Sequence, residues 1–280
     1  MAQDLSASTD NFDELVSQFN YDRSEPLKVK AVGEERRDGV SIQDVSYTSS
    51  GDERVQAYWL APVGAGPFPG VVFVHPAPGD RTTFLEEAVL LGKHGMASLV
   101  VEAPWAQGEV FGPKLAEPEV AREAFTRVVK DLRRSVEFLV SHPEIDASRL
   151  AYIGHSFGAL VGGVLAGVEK RIRAFVLMAG TGSFIDVVAL NMPFLEGPVL
   201  EHYAQVIAPI DPIHYVARAA PAALFFQFGR QDDFTQEQFE RVAEAASEPK
   251  LVKWYDTDHY FQIAEAQKDR LDWLQTRLRK

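Results

Sequence analysis

Gly154-His155-Ser156-Phe157-Gly158 lies between an apolar run, Leu150 to Ile153, that reads as a strand, and an Ala/Gly/Leu/Val-rich run from Ala159 that reads as a helix. This is the Gly-x-Ser-x-Gly pattern in a strand–turn–helix setting, and it constrains the fold more than any other stretch of the chain. A turn tight enough to lift a serine hydroxyl above a sheet crowds its neighbours, and glycine two residues to either side makes room. With Gly and Ser each near ~7% of residues, the five-residue pattern alone arises by chance in about one chain in ten of this length. Its weight comes from the rest of the chain.

The 280 residues are 46% hydrophobic, enough to bury a large core, and we read them as one large α/β domain and not two small ones. The net charge of −12, with its basic residues scattered, argues against a nucleic-acid or anionic-membrane surface, since both need clustered Lys and Arg. There is no cysteine, which excludes disulfides, thiolate metal sites and a Cys nucleophile. Met1 to Asp13 is polar and acidic, without a basic start or an apolar core of its own. No run approaches the ~20 apolar residues of a membrane span. The expectation is a cytoplasmic protein.

Strands and helices alternate after an antiparallel opening. Phe12 to Phe19 predicts a short amphipathic helix, and Val40 to Tyr47 with Val55 to Leu60 predicts a hairpin turning at Ser49 to Asp52. Val71 to Val74 is continuously apolar, as buried parallel strands are. Thr82 to His94 follows as a helix, Ala97 to Val101 as a strand, Pro118 to Val140 as a long helix and Leu150 to Gly154 as the strand that delivers Ser156. Arg173 to Met178, Ala222 to Phe228 and Leu251 to Tyr255 read as further strands, and Ala264 to Leu278 as a closing helix. Such alternation implies βαβ units and a parallel sheet, with function collected on loops at the carboxyl ends of the strands.

A serine nucleophile needs a base, an orienting acid and oxyanion donors, each from such a loop, in the chain order Ser, acid, His. Past Ser156, the run Phe225 to Gly229 ends in Arg230-Gln231-Asp232-Asp233, and Lys253-Trp254-Tyr255 ends in Asp256-Thr257-Asp258-His259. Of the seven histidines only His259 is both late and loop-borne. The Gly229-x-x-Asp232 spacing favours Asp232 as the acid over Asp233, which is suited to capping the helix beginning near Thr235. Asp258 is a weaker third choice, because adjacent residues in an extended segment point apart. The oxyanion donors expected are the backbone N–H groups of Phe157 and Ala77, since Pro76 and Pro78 in the loop His75 to Asp80 have none to give.

On Val71-Val72-Phe73-Val74-His75, Gly154-His155-Ser156-Phe157-Gly158, Gly229-Arg230-Gln231-Asp232 and His259-Tyr260-Phe261, the chain resembles the α/β-hydrolases of the dienelactone hydrolase and acetyl-esterase-like group over about residues 40 to 280. The resemblance implies an α/β-hydrolase fold: a mostly parallel eight-stranded sheet flanked by helices, with a Ser-His-Asp esterase mechanism and no cofactor. Two departures stand out. Dienelactone hydrolases proper use cysteine where this chain has Ser156, which shifts the expectation towards carboxylic-ester hydrolysis. Pro76 stands where the family has Gly after the histidine of the third strand.

Residues 180–220, between the sixth and seventh strands, are too many for an ordinary loop and predict a small cap. Its Phe184, Met192, Phe194 and Tyr203, with Trp105, Phe111 and Tyr260, are candidates to line a substrate pocket. No Arg or Lys cluster faces the site loops, so a neutral, small to medium, apolar ester is the expected small-molecule partner. Residues 1–38 read as a helical extension packed on the body of residues 39–280, with closure of the pocket or homodimer formation as further roles. Alternatives on the same triad are an amide or peptide hydrolase and a perhydrolase; a non-catalytic ligand-binding relative is the alternative from another class. Asp256, Asp258 and His259, crowded on one loop, are too weak a set to predict a metal.

Overall fold

A computed structural model describes residues 9–51, 53–103 and 113–279. Among the described residues a nine-stranded sheet is formed by β1 (Lys30–Arg37), β2 (Val40–Thr48), β3 (Arg54–Pro62), β4 (Phe68–Val74), β5 (Ala97–Val101), β6 (Ile145–His155), β7 (Ile172–Met178), β8 (Ala223–Gly229) and β9 (Lys250–Tyr255). The spatial order is β1-β2-β3-β5-β4-β6-β7-β8-β9. β1, β2, β3 and β5 pair antiparallel, and every pair from β5 through β4 to β9 is parallel. This is the α/β-hydrolase architecture with one strand more than the eight expected.

The added strand lies within residues 1–38, expected from sequence as a helical extension packed on the body. Lys30–Arg37 pairs with β2 across a tight turn in which Asp38 and Gly39 both have positive φ (52° and 78°). That conformation matches the right-handed twist of the flanking strands, and Asp-Gly adopts it readily. β1 is exposed along nearly its whole length, and its charged side chains guard the sheet edge against further pairing. The helix before it, α1 (Thr9–Ser17), does pack on the body: the rings of Phe12 and Phe19 lie 5.8 and 5.6 Å from that of Tyr215.

Side chains on a strand alternate between faces, so each central strand feeds two cores. Val72, Val74, Tyr152, Phe175, Leu177 and Phe226 face α3 (Pro118–Ser141), α4 (Phe157–Val168) and α8 (Gln236–Ala245). Val71, Phe73, Ile153, Val176 and Phe225 face α2 (Leu85–Lys93) and α9 (Ala264–Arg277). All twelve residues of α4 are buried, which its Ala/Gly/Leu/Val composition permits without an unpaired polar side chain. Between β7 and β8, α5 (Phe184–Asn191), α6 (Gly197–Ile207) and α7 (Pro212–Val216) form the cap segment. Among the described residues no helix is long and apolar enough to cross a membrane.

Candidate active site

β6 ends at His155, and α4 begins at Phe157. Ser156 between them has φ 53° and ψ −111°, a conformation that costs a non-glycine residue of order 1–3 kcal/mol. The turn is held on both sides. The Ser156 N–H donates to the Met178 carbonyl at 2.8 Å, and the Tyr152 hydroxyl donates to the Gly158 carbonyl at 2.6 Å. A Cβ at Gly154 would stand 2.3 Å from the Gly158 oxygen, and one at Gly158 would stand 2.2 Å from the Val74 oxygen. Both glycines are therefore required by backbone contact.

β8 and β9 lead into the loops carrying Asp232 and His259. His259 Nε2 is 2.8 Å from Ser156 Oγ, and its Nδ1 is 3.0 Å from each carboxylate oxygen of Asp232. A carboxylate only accepts, so Nδ1 carries the imidazole proton and Nε2 is left to accept the serine hydroxyl. The Asp232 side chain is fully buried, whereas that of His259 is 20% exposed. Asp232 Oδ1 also accepts the Phe234 N–H at 3.0 Å. Asp233, next in the chain, is exposed. It does not cap α8 either; Thr235 does, in a capping box with Gln238. Asp258 is occupied in its own turn, accepting the Tyr260 N–H.

Phe157 is the first residue of α4, so its backbone N–H lies in the first turn of the helix, directly after the nucleophile. Ala77 lies half-buried in the loop after β4. His75 knits that loop in place: Nδ1 donates to the Pro76 carbonyl at 2.8 Å, and Nε2 accepts the Ala103 N–H at 3.0 Å. Arg81, which pairs with both oxygens of Asp44 at 2.8 and 2.9 Å, donates its N–H to Glu102 at 3.2 Å.

The family model described as "BAAT / Acyl-CoA thioester hydrolase C terminal" matches residues 132–272, half of the chain, and spans Ser156, Asp232 and His259. The chain belongs to this family. Among relatives of this BAAT-type chain, "Uncharacterized protein Rv2307c" of Mycobacterium tuberculosis is 28% identical over 210 residues, 74% of this chain and 68% of that protein. The bile acid-CoA:amino acid N-acyltransferase of Mus musculus is 32% identical over 129 residues, 46% of this chain but only 28% of the mouse protein. Of solved structures, an acetyl xylan esterase from Paenibacillus sp. R4 superposes with a TM-score of 0.80 at 19% identity, covering 98% of this chain and 96% of that one. The family description is of the acyl-CoA thioester hydrolase type, and the likeness to the solved esterase is one of fold.

The pocket expectation fares differently residue by residue in this BAAT-family chain. Phe184, Met192 and Tyr203 are 2%, 0% and 1% exposed, so no solvent-sized space adjoins them and they do not line an open pocket. They fasten the cap instead: Phe184 stacks on Phe125 with ring centroids 4.6 Å apart, and the Tyr203 hydroxyl donates to the Leu115 carbonyl at 2.9 Å. The physical reason is ordinary: three short helices on α3 and α4 must bury their own apolar faces before any face is left for a ligand. Phe194 is 66% exposed, in the segment between α5 and α6. Tyr260, 72% exposed, borders a cleft of about 390 Å³ between the His259 loop, α2 and α9, with its ring 6.5 Å from that of His259. Trp105 and Phe111 lie outside the described residues. Sequence reasoning did not pick out His155, whose Nε2 donates to the His259 carbonyl at 2.6 Å.

Proposed function

We propose that this chain is a serine hydrolase that cleaves carboxylic esters or thioesters through an acyl-enzyme on Ser156. The observation that carries the reading is the unbroken hydrogen-bond relay from Ser156 Oγ through His259 to Asp232. His259 takes the serine proton at Nε2 as Oγ attacks the acyl carbonyl, and the buried Asp232 carboxylate stabilises the imidazolium that forms. The N–H groups of Phe157 and Ala77 receive the developing oxyanion, where fixed dipoles act without reorganising. The imidazolium then protonates the departing oxygen or sulfur, and a water activated by His259 releases the acid.

Thioesters enter through the family description, and esters through the serine and its setting. The rings of Phe234 and Tyr260 border His259 at 5.7 and 6.5 Å, which favours a neutral, apolar acyl or alcohol group. The test is a chain-length series of p-nitrophenyl esters beside a matched acyl-CoA series, on wild type and Ser156→Ala, with mass-spectrometric mapping of a fluorophosphonate label. Turnover by wild type alone, with the label on Ser156, is expected. A Ser156→Ala protein that retains most of the turnover overturns the reading, and the ratio of the two series assigns ester or thioester.

A further inference from the structure

His155 is buried, 5% exposed, at the residue immediately before the nucleophile. Its Nε2 lies 2.6 Å from the main-chain carbonyl oxygen of His259, and the two imidazole rings are 5.3 Å apart. A carbonyl can only accept, so His155 carries its proton on Nε2. We propose that His155 is the positioning residue that fixes the His259 loop to the nucleophile elbow, an inference that rests on the serine-hydrolase reading above.

The need for such a tie follows from how the loop is built. His259 sits between the end of β9 at Tyr255 and the start of α9 at Ala264. One flank of the loop is seated on the end of β8, where the Gln231 N–H donates to the Thr257 carbonyl at 3.1 Å. The other flank borders the cleft of about 390 Å³, whose wall includes His155, Met178, Tyr260 and Phe261. Phe261 also holds a positive φ of 54°, which only surrounding contacts can maintain. On that open side the His155 hydrogen bond grips the backbone of the very residue that must stay 2.8 Å from Ser156 Oγ. Because His155 and Ser156 are adjacent on one strained turn, nucleophile and base are referred to the same rigid element.

The chemistry of the side chain fits the task. The donor must reach across from the elbow without placing a charge beside an imidazole that has to become cationic. Burial, reinforced by the nearby His259, lowers the His155 pKa to about 3, so it stays neutral at any pH at which His259 can act as a base. Lys or Arg at the same position would supply the hydrogen bond together with an opposing charge.

The experiment compares His155→Leu, which removes the donor, with His155→Gln, whose amide nitrogen reaches the same place, and His155→Asn, one bond too short. Three quantities are read: the fluorophosphonate labelling rate at Ser156, kcat and KM on p-nitrophenyl acetate, and the downfield proton resonance of His259 Nδ1–H, identified by its loss in His259→Gln. In His155→Leu and His155→Asn, labelling and kcat fall about 10²-fold with KM little changed, as for a catalytic group displaced by about 1 Å. The resonance broadens in both, and His155→Gln restores rate and resonance. A leucine variant that melts earlier but labels at the wild-type rate with the resonance intact overturns the proposal, reducing His155 to a packing residue. If the leucine variant does not fold, equal rates in the Asn and Gln variants overturn it. A wild type that is not labelled, with a resonance that still depends on His155, upholds the positioning role and sinks the hydrolase reading instead.

Discussion

Asp232 faces His259 Nδ1 with both carboxylate oxygens at 3.0 Å, while its chain neighbour Asp233 stands exposed. One residue separates a buried carboxylate on the imidazole from one in solvent, so the pair is its own control. Asp232→Asn keeps the size of the side chain but presents an amide where the tautomer needs an acceptor. We expect it to lower kcat by about 10⁴-fold, as in other Ser-His-Asp sites. Asp233→Asn is expected to stay within a factor of two or so of wild type, as exposed substitutions do. Steady-state rates on the best p-nitrophenyl ester check both, and a severe loss in Asp233→Asn would transfer the role.

Gly158 is expected to tolerate no side chain. Its Cβ would stand 2.2 Å from the Val74 carbonyl oxygen, which belongs to the centre of the sheet and has nowhere to go. Gly158→Ala should cost about 1–3 kcal/mol or more in urea unfolding, the usual penalty of forced overpacking. It should also slow fluorophosphonate labelling of Ser156, because relief can come only by moving the start of α4. Unchanged stability with unchanged labelling would show that the elbow is softer than its contacts imply.

The elements that could be read from sequence are those whose signal is local. Ser156, Asp232 and His259 each follow an apolar strand by a few residues, so a pattern of strand ends was enough to pick them out before any contact was known. β1 was missed because Lys30–Arg37 carries no apolar alternation; an edge strand exposed on both faces needs none. The Asp38-Gly39 pair was the one local sign of it. The cap residues Met192 and Tyr203 were misread for a different reason. An apolar residue on a short helix looks the same whether it faces a ligand or the body, and only burial separates the two. His155 and the pair Glu87–Arg270 depend on partners 104 and 183 residues away, a relationship that periodicity does not record.

Burial of Asp211 sets the sign expected for a pH dependence of the cap. It accepts the Ser183 hydroxyl and the Phe184 N–H, both at 2.8 Å, and so joins the start of α5 to the start of α7. Burial raises its pKa from 3.8 to about 7. Between those values the folded state binds more protons than the unfolded state, so stability falls as pH rises from about 4 to about 7 and the cost is fully present above that. Asp211→Asn, which can still accept from Phe184 and can donate to Ser183, should remove that slope. The difference at neutral pH is expected to be on the order of 2–4 kcal/mol in favour of the variant. Denaturation midpoints of both proteins from pH 4 to 8 test this, and parallel curves would contradict it.

Glu87 on α2 and Arg270 on α9 form a bidentate ion pair, with both hydrogen bonds at 2.5 Å and both side chains less than a tenth exposed. Removing one partner strands the other in the core, so Arg270→Met should destabilise by about 3–5 kcal/mol. Removing both lifts that penalty, because two charges no longer have to be desolvated, and Glu87→Leu with Arg270→Met should recover most of the loss. A complication is Gln227, whose oxygen lies 3.4 Å from Arg270 while its amide donates to the Tyr255 hydroxyl and the Ala266 carbonyl. The 3.4 Å bond is the weakest of the three, and the two donated bonds survive the double substitution, so Gln227 should not reverse the recovery. Urea unfolding of the two single variants and the double variant closes the cycle. A double variant as unstable as Arg270→Met would show that the loss comes from removing Arg270 itself and not from stranding the Glu87 carboxylate.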